Sequence, residues 1–342
     1  MPMVTDLKKN NFDTLRLLFA TLVIYSHSFP VTRGSNITEP LYRFTGGQVT
    51  FGMASVWSFF IISGFLITQS WVRSPNAFRF LRRRISRIFP GFVVATLLCA
   101  VIVHPIASPD KLSVLSYVRS TLHLQMFVDN NAFAHNPSPG LINASLWSIS
   151  VEFWFYIVVL VLGLIGILRK RFVVLGILAT ILPIQILIDL HHIDYGTKTF
   201  DIFMLFPLFL AGSLAYLFSK EISFRLRYAV LATLILFGSL HVPHATIITF
   251  PILGAYLVMW LAYLPALNHL HLGRWGDFSY GTYLYAYPIQ QLLALYYLPW
   301  LNPLRLFLIA APLSILAGIL SWHLVEKHFL LRTTVRRHEA KA

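Results

Sequence analysis

The 342-residue chain is 57% hydrophobic and 12% charged, with a mean hydropathy of +0.69, where soluble domains run near roughly 45–50% and about 25%. That composition excludes a water-soluble globule, because one or two soluble cores cannot hide so much apolar surface. The single cysteine, Cys99, excludes a disulfide framework within the chain and a cysteine-cluster metal site.

A net charge of +14 would suit nucleic acid, but the charges fall in short clusters between long uncharged runs. Runs near about 20 apolar residues read as membrane-spanning helices, since about 30 Å of hydrocarbon takes about 20 residues at 1.5 Å each. Membrane lipid is therefore the expected partner, and no nucleic acid is expected. The predicted fold is all-α, a polytopic bundle of about ten transmembrane helices.

The first span, near 12–30, carries Arg16 and His27. Eleven steps of about 100° bring them within about 20° of one helix face, about 16 Å apart along the axis. An ionisable group inside a span costs about 2.5–3.5 kcal/mol on insertion scales and is a functional candidate by default. Arg16 falls in the inner half and His27 in the outer half. The second span, near 51–70, contains FFIISGFLIT, in which Ser63 and Gly64 read as small residues for close helix packing. FRFLRRRISRIFP, residues 78–90, then leads into the third span, near 88–106. Its Arg84 and Arg87, three apart, could clamp a phosphate or could simply mark the basic membrane side.

Residues 107–144 form the one long connection, either functional or a mobile cap. The fourth span, near 145–168, opens with LWSISVEFWFY, which sets Ser148 and Glu152 four apart on one face. Depth places Glu152 near His27, where a carboxylate would orient the imidazole as a general base. The competing reading is a buried Arg16–Glu152 pair that only locks the bundle, and the depth of Arg16 speaks against it. Further spans lie near 172–190, 200–219, 227–241, 245–264, 278–298 and 304–325, with residues 241–244 as a turn. In FSYGTYLYAYP, residues 278–288, the tyrosines pack or line a sugar cavity. Tyr283, with Ser148, is the expected substrate contact. His191, His192, His269 and His271 read as surface residues, and no metal is expected.

With the N-terminus inside, 20 of the 27 Lys and Arg residues fall on inner segments and six on outer ones, with Arg16 inside a span. This alternation predicts that both termini are cytoplasmic.

Taken in order, the Arg16–His27 pair, FFIISGFLIT, RISRIFP with Arg84 and Arg87, WSISVEFWFY with Glu152, and the tail blocks FSYGTYLYAYP and WHLVEKHF resemble membrane acyltransferase family 3. The resemblance covers nearly the whole chain. It implies O-acylation of bacterial surface polysaccharides, O-antigens or glycolipids at the inner membrane. Arg16 and His27 would be the pair on which activity depends, and Arg84 and Arg87 would lie close to a cytoplasmic acyl-CoA. Acetyl-CoA is the expected donor substrate, with no permanently bound cofactor. Where many members carry a histidine before the Tyr-Pro of the penultimate block, this chain has Ala286. A single domain over 1–342 is expected, with no appended soluble domain. Direct transfer and an acyl-enzyme relay both remain open, and a transporter or flippase of a glycolipid or small solute, or a scaffold subunit, are the competing classes.

Overall fold

The computed structural model describes residues 10–191, 197–267, 273 and 276–330. His192, His269, His271, Lys8, Lys9 and the basic tail from 331 lie outside the described residues, and so do both termini. Among the described residues there is no strand, only an isolated bridge between Val128 and Leu141.

The elements are α1 (Phe12–Arg33), α2 (Pro40–Phe44), α3 (Phe51–Arg73), α4 (Ala77–Ala107), α5 (Val114–Leu122), α6 (Ala144–Leu164), α7 (Arg171–Leu190), α8 (Thr197–Leu217), α9 (Leu226–Ser239), α10 (Thr246–Ala262), α11 (Ser279–Tyr297) and α12 (Pro303–Phe329). Each of the ten predicted segments is helical. Six of the described helices, α1, α3, α4, α6, α7 and α12, are long and apolar enough to cross a membrane by length and composition. The others fall short for physical reasons. α9 and α10 are brief, while α11 buries Ser279, Thr282, Gln290 and Gln291 among its apolar residues.

Local sequence sets the ends. Thr50 Oγ1 accepts from the backbone N of Met53 at 3.0 Å, Asn76 Oδ1 from Arg79 at 2.8 Å and Asn302 Oδ1 from Arg305 at 2.9 Å, each satisfying a helix-start donor. α1 stops at Gly34, which takes the left-handed conformation at φ +74°. Three helices contain π-helical turns, at Cys99–Val103 in α4, Phe250–Gly254 in α10 and Trp322–Glu326 in α12.

α3 and α8 cross backbone to backbone. A Cβ added to Gly64 would lie 1.9 Å from the carbonyl oxygen of Phe209, and one added to Gly212 would lie 2.0 Å from that of Ile61. Beside this crossing Thr68 donates to Ser213 Oγ at 2.9 Å. Only glycine permits such an approach. Gly64→Ala should therefore destabilise the solubilised protein by more than the roughly 1–3 kcal/mol of ordinary overpacking and lower its thermal unfolding midpoint. Gly176→Ala on α7, with nothing within 4 Å, should leave it unchanged or raise it. Equal midpoints in both variants would contradict the crossing.

The segments that carry Arg73, Arg79, Arg82, Arg83 and Arg84 gather with the start of α1 and the end of α12 at one end of the bundle, the basic end. At the opposite end the long connection is folded rather than loose. His104 Nε2 lies 3.2 Å from Asp129, Asn136 Nδ2 donates to Gln291 Oε1 at 2.8 Å, and Gln291 Nε2 donates to the carbonyl of Ser138.

Candidate active site

A cavity of about 420 Å³ runs from the basic end between α1, α3, α4, α6 and α11. Arg83, Ser86 and Arg87 form its rim on α4, Arg16 and Arg84 its walls, and Val56, Ser148, Ile149 and Tyr283 its far end. Successive turns of α4 put the three arginines on one face because residues three and four apart are neighbours.

Arg87 and Arg84 have different surroundings, contrary to the expected two-arginine clamp. Arg87 Nη1 donates to Glu326 Oε2 at 3.2 Å and its Nη2 pairs with Asp277, while the rings of Tyr280 and Trp322 lie 5.4 and 5.7 Å from its guanidinium carbon. Asp277 also accepts from Arg16 Nη1 at 3.2 Å, and Ser279 Oγ donates to its other oxygen at 2.6 Å. The π-helical turn of α12 carries Glu326 into this cluster, where Ser321 Oγ donates to it at 2.8 Å. Arg84, by contrast, forms no ion pair with a carboxylate among the described residues. Its guanidinium lies over the rings of Phe80 and Tyr156, 5.8 Å from each, and its Nε is buried without a hydrogen-bond partner.

Burial alone would raise the Asp277 carboxyl, but Arg87 and then Arg16 outweigh it and hold the group below its ordinary 3.8. Folding thus favours the charged form. The Asp277 carboxylate's contribution is present above its unfolded value and is lost as pH falls through the lower folded one, so it is complete at neutral pH.

Glu152 lines the cavity, and it does not orient His27. Its Oε1 accepts from Ser63 Oγ and from the Tyr156 hydroxyl, both at 2.7 Å. The expectation assumed that α6 begins at the membrane surface. Instead residues 136–143 descend along α11 first, meeting Gln291, then Tyr287, then Leu284. Asn143 Nδ2 donates to the carbonyl of Leu284, only five residues from the start of α11, and α6 starts immediately after it. Glu152 is thereby carried toward the basic end and meets Arg84's neighbour Tyr156. Ser63, expected only to pack, gives its hydroxyl to this carboxylate, while Gly64 packs as expected. The competing ion pair of Arg16 with Glu152 does not form, because Asp277 takes Arg16.

Ser148 and Tyr283 are brought together, their hydroxyls sharing a hydrogen bond of 2.8 Å at the cavity's end. His27 is not in the lining. Between it and Arg16, α1 buries Phe19, Ala20 and Val23, so the single cavity expected to join the two residues is interrupted. The imidazole stands edge-to-face on Tyr287, with centroids 5.4 Å apart, and its Nδ1 is buried without a partner. Tyr287 is one helical turn beyond Tyr283, about 6 Å along α11. Its hydroxyl accepts from Gln291 Nε2 at 3.1 Å and lies 3.4 Å from Ser138 Oγ of the long connection. Ala286 packs at the same end in the cluster that contains Ile24 and Val31. His191 is exposed, as expected.

Asp277, Glu326, Tyr156 and Tyr287 were not among the expected site residues. Asp277 had a readable signal, being the sole acid between Glu221 and Glu326. Nothing in the pattern singles out Tyr156 or Tyr287, each one aromatic among many.

The acyltransferase domain family matches residues 9–323 of the chain. The chain is similar to an O-acetyl transferase of Shigella phage Sf6, 29% identical over 96% of this chain and 98% of that protein. It is also similar to nodulation protein 10 of Rhizobium leguminosarum bv. viciae, 28% identical over 96% and 95%. The O-acetyltransferase OatA of Staphylococcus aureus is 24% identical over 88% of this chain, which spans 55% of OatA's length. No solved structure matches. With nearly its whole length matched and several apolar helices long enough to span a bilayer, the chain belongs to the acyltransferase domain family and is a multi-pass membrane acyltransferase.

Proposed function

We propose that the protein carries an acetyl group from cytoplasmic acetyl-CoA to a hydroxyl of a carbohydrate or glycolipid on the outer side of the bacterial inner membrane. In this reading all ten predicted spans cross the bilayer as one domain, and the basic end and both termini lie in the cytoplasm. The observation that carries it is the arginine-rimmed cavity, which runs from the basic end to a pair of hydroxyls in mid-bundle. The O-acetyltransferase names of the phage and staphylococcal relatives support the acetyl group and the ester product.

Arg84, with Arg83 beside it, offers the donor's phosphates a cation that no carboxylate has already taken. Arg87 and Arg16, held by Asp277 and Glu326, shape the passage for the pantetheine arm. The thioester then reaches Ser148 and Tyr283. His27 acts from the outer side: it takes the proton of the acceptor hydroxyl as that oxygen attacks the thioester carbonyl, and returns it to the departing thiolate. The layer of Phe19, Val23, Tyr283 and Tyr287 between the cavity and His27 must open for this to happen, a gating step of the kind that sets turnover in many enzymes.

Incubating membranes with radiolabelled acetyl-CoA should leave label as an alkali-labile ester on surface glycan, and membranes without the protein should not. Arg84→Gln should raise KM for acetyl-CoA by roughly tenfold or more, the effect of losing a hydrogen bond to a charged group. Label that never reaches sugar would overturn the function, and an unchanged KM would remove Arg84 from donor binding.

A further inference from the structure

A second cavity, of about 350 Å³, lies toward the opposite end between α3, α7, α8 and α10. It falls within the about 300–1,000 Å³ of small-ligand sites. α3 separates the two cavities at a common depth, since Val56 lines the first and Trp57 the second.

The inner lining is apolar and aromatic, with Met53, Trp57, Phe203, Leu208 and Phe250. Phe250 stands edge-to-face on Trp57 at 4.8 Å, at the π-helical turn of α10. Such turns are frequent at functional sites. Trp57 is 7% exposed, yet its Nε1 is buried with no acceptor. A buried indole N–H normally has a partner, and the Trp57 side chain lines this cavity.

The mouth is polar. Asp189 pairs with His244 Nδ1, and His244 adopts φ +64°, an uncommon conformation for a residue with a side chain. Gln48 and Gln185 each give an amide N–H to a backbone carbonyl, of Leu240 and Phe203, which leaves their amide oxygens as acceptors. No Lys or Arg is among the described lining residues. An anionic headgroup would find no Lys or Arg among these residues, whereas hydroxyls would find both donors and acceptors beside aromatic faces. Outside the cavity α7 exposes Ile184 and Leu187, a surface along which a hydrocarbon chain can lie.

We propose that this second cavity binds the uncharged, hydroxylated head of an alkyl-linked sugar, with Trp57 Nε1 donating to a sugar oxygen and Asp189 accepting from a hydroxyl. The proposal deepens the acceptor reading above and rests on the opposite end being the acceptor side; because α3 separates this cavity from the donor's, it holds the head outside the transfer step itself.

The test uses the full protein in nanodiscs of zwitterionic phospholipid, without acyl donor, and an alkyl glucoside bearing a diazirine near the head. Adducts should map to residues 243–251 and 203–208, saturate, and be displaced by plain alkyl glucoside but not by alkyl phosphocholine. Met53→Trp, or Leu208→Phe from the other wall should Met53→Trp misfold, fills the space and should abolish this labelling. Trp57→Phe and Asp189→Asn should each weaken it by roughly two- to tenfold, the range for one lost hydrogen bond. Unsaturable labelling, labelling that survives the filled cavity, or equal displacement by alkyl phosphocholine would overturn the site. Saturable labelling in a protein that transfers no acetyl group would uphold the site and overturn the acceptor reading.

Discussion

His27→Ala should abolish acetyl transfer while the protein still inserts and keeps a monodisperse elution profile after solubilisation. A well-placed general base contributes about 10²–10⁴-fold, so loss of the imidazole should reduce turnover by at least that range. The position makes the variant informative. His27 touches Tyr287 rather than a carboxylate, and α1 is anchored independently of it. Gln290 Nε2 donates to the carbonyl of Ile24 and to Ser28 Oγ, both at 2.8 Å. Removing the ring therefore breaks no hydrogen bond of its Nδ1. Since Glu152 is spent on Ser63 and Tyr156, Glu152→Gln should not reproduce the His27→Ala phenotype through the imidazole. The measurement is single-turnover transfer of labelled acetyl to glycan, with solubilised thermal stability as the control for folding. Wild-type turnover in a folded His27→Ala protein would move the base elsewhere, and Glu152, which lines the donor cavity, would be next to test.

How far the sequence was legible follows from what each signal measures. Apolar runs report helices, and each predicted run is one; they report crossing less well where, as in α11, buried glutamines and tyrosines face other helices rather than lipid. The small-residue pair at 63–64 shows the limit of local reading. Gly64 matters through the backbone carbonyl it lets approach, whereas Ser63, one residue away, points at another helix's carboxylate. Depth along one helix was readable for Arg16 and His27 because a helix is a ruler. Depth of Glu152 was not, because it depends on where α6 begins, and that is fixed by Asn143 binding the carbonyl of Leu284, a contact across 141 residues. For the same reason the partners of the arginines were hidden. Arg87 in the first third of the chain is neutralised by Asp277 and Glu326 in the last quarter, and no spacing rule links them.

Asp277→Asn should be the most destabilising single change at the site. It leaves Arg16 and Arg87 facing each other with only Glu326 and the nearby Asp13 among the described acids to balance them. Breaking a buried ion pair by removing one partner costs about 3–5 kcal/mol, because the surviving charge stays desolvated. The side chains here are 17–23% exposed, so water offsets part of that cost and the lower end of the range applies. The variant should show a much lower unfolding midpoint and reduced abundance in the membrane. Adding Arg87→Gln removes one of the two cations left short of a partner and should recover part of the loss. Two residues that share a partner in this way do not behave additively. A structural role limited to shape would give additive losses in the double variant. An unaltered midpoint for Asp277→Asn would mean that the arginines are balanced by something other than this carboxylate, and the division of labour between Arg84 and Arg87 would have to be redrawn.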